Sequence, residues 1–98
     1  MNTEINKIII ETLKPFGLSE IGVFGSYSRN EMTLNSDIDI LYDYNPNSIK
    51  LTLFDLSAMK INLEEKLKIN IDLTSKRGLK EWIIPYVMKD LKIIYEKN

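Results

Sequence analysis

Two aspartates, Asp37 and Asp39, flank Ile38 and lead into the apolar run Ile40-Leu41-Tyr42. In an extended strand alternate residues share a face, so the two carboxylates stand ~6.6 Å apart along the chain and point the same way. Carboxylates that close repel each other unless a cation is present, and one or two Mg²⁺ ions can bridge such a separation. Aspartate is depleted in strands, so its place among isoleucines argues for metal binding over the competing account, a solvated edge strand.

A third carboxylate, Asp72, alternates with Ile71 and Leu73 in a similar run. On the polar face of an adjacent strand it would complete a cluster around one point. Asp43 competes for that role, but four residues past Asp39 it lies ~13 Å further along the strand, beyond shared coordination. The chain has no histidine and no cysteine, so imidazole and thiolate ligation, serine–histidine triads and disulfides are excluded. Oxygen donors alone suit Mg²⁺ or Mn²⁺ rather than zinc.

Gly25-Ser26 follows the apolar run Ile21-Gly22-Val23-Phe24. A glycine there permits positive φ or close approach of a ligand to the backbone, and the N–H groups of a following helix favour phosphate. Ser26 adds a hydroxyl donor. A plain turn with Ser26 as a cap explains Gly-Ser equally well when taken alone.

These residues need elements to hold them. Ile5, Ile8, Ile9 and Leu13 fall at helical spacing behind Asn2 and Thr3, with Pro15 and Gly17 ending the helix. Strand 21–24 leads through the glycine turn into a short helix reaching toward Glu31, and residues 37–42 form the aspartate strand. In that strand Leu41 shares the aspartate face while Ile38, Ile40 and Tyr42 take the other. Asn45-Pro46-Asn47-Ser48 breaks the pattern, helical spacing returns from Leu51 to Leu67, and residues 69–74 form a third strand. Pro85 suits the first turn of a helix near Trp82, and 92–95 reads as a short edge strand. Trp82 is expected in the core, and Lys76 and Arg77 in a solvated turn. The fold class is α/β (α+β): a small mixed sheet with helices packed on it.

With 98 residues the chain is expected to form one domain over residues 1–98. Its net charge of −1 gives no general attraction for nucleic acid. No apolar run approaches the ~20 residues of a membrane span, and the start lacks a secretory pattern. The expectation is a cytoplasmic, unprocessed chain without membrane or direct nucleic-acid partners.

Ten residues separate Ser26 from Asp37. Gly25-Ser26, that interval and Asp37-Ile38-Asp39 together resemble the signature of the DNA polymerase β-like nucleotidyltransferase superfamily. The closer resemblance, over nearly the whole chain, is to the minimal nucleotidyltransferase (MNT-domain) antitoxins that pair with HEPN ribonuclease toxins. That resemblance implies Gly25 and Ser26 at the triphosphate, Asp37 and Asp39 as metal ligands, and Asp72 as third metal-binding carboxylate and base. It also implies Arg29 as a basic residue of the binding turn, ATP as nucleotidyl donor and Mg²⁺ as cofactor. The implied acceptor is a tyrosine of a cognate HEPN toxin, silenced by AMP transfer. Asn30 stands where that family usually has glycine, and asparagine tolerates left-handed angles.

Three rival readings stand beside this one. The chain could neutralise a partner by docking alone. Asp37-Ile38-Asp39 also resembles the phosphatase motif of haloacid dehalogenase-like enzymes, in which a strand-end aspartate is the nucleophile. That motif would place threonine or valine at Leu41, and its fold needs a much longer chain. An antibiotic-modifying nucleotidyltransferase would need an added helical domain.

Overall fold

The computed structural model describes residues 2–97. The chain runs α1 (Thr3–Leu13), β1 (Glu20–Phe24), α2 (Gly25–Ser28), β2 (Ile38–Asp43), α3 (Leu53–Leu67), β3 (Ile71–Ser75), α4 (Ile84–Asp90) and β4 (Lys92–Glu96). Single 3₁₀ turns occupy Lys14–Phe16 and Lys76–Gly78. Asn2 caps α1 by accepting from the Ile5 N–H at 3.1 Å, and Gly17, at φ +85°, closes the turn after it. Thr52 and Asp55 form a reciprocal capping box at the start of α3, satisfying amides that the first helical turn leaves without partners.

The four strands form one mixed sheet in the order β3-β2-β1-β4. β1 pairs antiparallel with β2 and with β4, whereas β2 and β3 run parallel. A parallel pair needs a crossover, and α3 supplies it. α1 and α3 cover one sheet face and bury Ile9, Leu13, Ile21, Val23, Ile38, Ile40, Met59, Leu63 and Ile71 there. Loss of that much apolar surface from water is the main favourable term for a domain of this size.

The other face is covered only in part. α4 lies over it and buries Val87, and Leu41, placed by alternation beside the aspartates, is 1% exposed there. That face is therefore apolar at Leu41 and Val87 and acidic at one end. Trp82 corrects an expectation, being 69% exposed in the turn before α4 and not in the core. β3 begins at Ile71, two residues later than the alternation suggests, and α2 is a single turn that stops at Ser28. Among the described residues no helix is long and apolar enough to cross a membrane.

Candidate active site

The site sits where β1 ends and β2 and β3 begin. Antiparallel register sets Phe24 beside Asp39, so the turn that follows β1 falls next to that carboxylate. Parallel register sets Asp39 beside Asp72, and the pairing is anchored by the Ile38 N–H donating to the Asn70 carbonyl at 3.0 Å. Residues level with each other in adjacent strands share a face, so both acids project onto the side that α4 covers incompletely. Asp37 lies one residue before β2, after a turn in which Ser36 and Thr33 hydrogen-bond each other.

Gly25 has φ +69°, a left-handed conformation that side chains resist. A Cβ placed there would overlap Asp39 Oδ2 and stand 3.2 Å from its Cγ. The absence of a side chain thus lets the carboxylate lie against the backbone of the turn. Asn30, at φ +59°, adopts the left-handed angle expected of it. The Ser26 hydroxyl points to Met32 Sδ at 3.5 Å. Thioether sulfur is a weak acceptor, so this hydroxyl can exchange it for a phosphate oxygen at little cost.

Burial pushes the Asp39 acid up to about 6, and the neighbouring Asp72 and Asp37 carboxylates add to the rise, against a smaller opposing pull from Arg29. Asp72 stands level with Asp39 in the neighbouring strand, while Asp37 acts on Asp39 through its charge. Among the described residues no three His, Cys, Asp or Glu side chains are disposed to hold one metal ion by themselves. Magnesium commonly takes only one or two protein carboxylates and draws its other ligands from water and substrate phosphates. An oxygen-only cluster whose charges repel each other fits that mode of binding.

Asp43 is remote from this group and pairs with Arg77 at 3.2 Å. Arg29 does reach the site. Its guanidinium pairs with Asp90 at 2.5 Å and with Glu31 at 3.3 Å, and it borders a cavity of about 300 Å³ that also contains Gly25, Asp39, Tyr86, Lys89 and Asp90. The last three come from α4 and were invisible to sequence reasoning, since Arg29 and Asp90 stand 61 residues apart and no motif joins them. A larger cleft of about 1090 Å³ runs past Tyr27, Met32, Ser36 and Asn70 and includes none of the three aspartates. Of the two, the smaller cavity is the one that contains the glycine turn and Asp39.

A profile of the nucleotidyltransferase domain family matches residues 4–97. Protein adenylyltransferase MntA of Thermococcus cleftensis is 38% identical over 81 residues, which span 83% of this chain and 79% of that protein. Among solved structures, a toxin–antitoxin complex with AMP-PNP contains a chain that superposes with a TM-score of 0.79 at 25% identity, over 95% of this chain and 74% of that one. An MNT antitoxin in complex with a tri-AMPylated HEPN toxin of Shewanella oneidensis shares the fold, with a TM-score of 0.75 at 23% identity, over 99% of this chain and 74% of the matched one.

Proposed function

The chain belongs to the nucleotidyltransferase domain family, and we propose that it is a Mg²⁺-dependent protein adenylyltransferase that moves AMP from ATP to a tyrosine of a cognate HEPN toxin. The observation that carries this reading is the Asp39 carboxylate, packed against the Gly25 turn and level with Asp72 across β2 and β3. The turn suits a phosphate chain, and the acids suit the charge that develops at a phosphorus centre. The adenylyltransferase relative and the antitoxin complexes support the acceptor class.

In the proposed reaction Ser26 and the Gly25 backbone hold the triphosphate, with Arg29 beside them. Asp37 and Asp39 would hold the divalent ion, which when bound would supply positive charge against the phosphates. Asp72 accepts the proton of the attacking tyrosine hydroxyl. A new O–Pα bond forms as the bond from Pα to the bridging oxygen breaks, and pyrophosphate leaves. Most of what the protein provides is positioning and electrostatic stabilisation.

The test is to incubate the purified chain with ATP, Mg²⁺ and a HEPN-domain protein from the same genome, then weigh the products. Gain in steps of one AMP on the acceptor, lost with Asp39→Ala, is the expected result. Unmodified acceptor together with full neutralisation by Asp39→Ala would establish docking without catalysis instead.

A further inference from the structure

The α4 flank of the small cavity carries a cation for which the reaction above has no use. Lys89 lines that cavity together with Gly25, Arg29 and Asp39. Among the described residues its ammonium makes no hydrogen bond or ion pair. The neighbouring carboxylate, Asp90, is taken by Arg29 at 2.5 Å, and Lys92, the next cation along, donates to the Ser28 carbonyl at 3.2 Å.

The placement of Lys89 is built into the fold. Val87 anchors α4 on the sheet, being 4% exposed. The Ser28 hydroxyl donates to the Asp90 carbonyl, and the Arg29–Asp90 pair makes a second tie between α4 and the residues at the end of α2. The backbone bearing Lys89 is thereby fixed beside the Gly25 turn, while its four-carbon stem leaves the ammonium free to reach a ligand.

The surrounding charges indicate what that ligand should be. Arg29 is already matched by Asp90 and Glu31, so its capacity to neutralise a further anion is divided. A polyphosphate seated at Gly25 brings several negative charges into a cavity that already holds Asp39. We propose that Lys89 binds the β- and γ-phosphates, on the side from which pyrophosphate departs. The inference rests on the nucleotidyl-transfer reading. Lys89 forms no bond to phosphorus; it neutralises charge on the leaving group.

Calorimetric titration of the whole chain with MgATP, AMP and inorganic tripolyphosphate tests this, with wild type beside Lys89→Ala, Lys89→Arg and Lys60→Ala. Lys60 is an exposed lysine of α3 outside the cavity, so its removal makes the same change in net charge. Lys89→Ala is expected to weaken MgATP and tripolyphosphate about tenfold, the effect of one charge-assisted hydrogen bond, and to leave AMP unchanged. Lys89→Arg should restore binding, and Lys60→Ala should alter nothing. No weakening, equal weakening by Lys60→Ala, or parallel weakening of AMP overturns the inference. Lys89-dependent tripolyphosphate binding by a wild type that transfers no AMP would remove the nucleotidyl-transfer reading and leave the phosphate subsite standing. AMP transfer with Lys89-independent binding would do the reverse, and a wild type that binds none of the three ligands overturns both.

Discussion

The Asp39 carboxylate lies against the Cα of Gly25, in space that any side chain at residue 25 would occupy. Two residues fourteen positions apart thus form one unit. The left-handed angle of Gly25 turns the chain, and its missing Cβ makes room for the acid.

Gly25→Ala meets both penalties together. A left-handed non-glycine residue costs about 1–3 kcal/mol, and the new methyl must displace Asp39 from its position. Thermal denaturation should show destabilisation within that range, and AMP transfer to the acceptor should fall below detection even where the variant remains folded. An active, equally stable Gly25→Ala protein would contradict the geometry.

Asp39 makes the metal-free protein sensitive to pH. Its folded acid stands at about 6, above the ~4 of an unfolded chain. The folded state therefore holds this proton more tightly, and the stabilisation is complete below pH ~4 and lost as the pH rises past 6. A shift of that size corresponds to at most about 3 kcal/mol, and solvent screening of a half-buried side chain reduces it to about 1 kcal/mol. In EDTA at pH 7.5 Asp39→Asn should melt above the wild type, with the gap closing by pH 4. Adding Mg²⁺ should raise the melting temperature of the wild type more than that of the variant.

Asp72→Asn separates binding from proton transfer. Loss of a general base typically costs 10²–10⁴ in rate, so AMP transfer should slow by about that factor while MgATP binding changes little. The same substitution removes a neighbouring negative charge from Asp39, which should lower the Asp39 acid and shift the melting profile in EDTA to lower pH. Unchanged transfer would assign the base elsewhere.

Trp82→Ala should be nearly silent for stability. Truncating a buried tryptophan costs about 3–5 kcal/mol, whereas substitution at an exposed site usually stays within ±0.5 kcal/mol. Urea denaturation should return the smaller figure, and the intrinsic fluorescence of the native protein should have the red-shifted maximum of a solvated indole.

Much of this fold was legible because its signals are local. The helical spacing of Ile5, Ile9 and Leu13, the break at Pro15 and Gly17, and the alternation around Asp39 and Asp72 each need only neighbours in the chain. An error arose where burial depended on a distant element: Trp82 reads as core until the turn before α4 leaves it in solvent. Its environment follows from how a short helix docks, which hydrophobicity alone does not specify.

For the site, the sequence by itself determined the chemical types and their order: a glycine–serine turn, ten residues, an aspartate pair and a later aspartate, with neither histidine nor cysteine to offer another chemistry. Tertiary structure decided which of these groups meet. Parallel pairing of β2 with β3 brings Asp72 level with Asp39, and antiparallel pairing with β1 lays Gly25 beside it. Only folding could bring Lys89 and Asp90 to the same cavity, because strand register and helix docking are set by contacts between segments far apart in the chain.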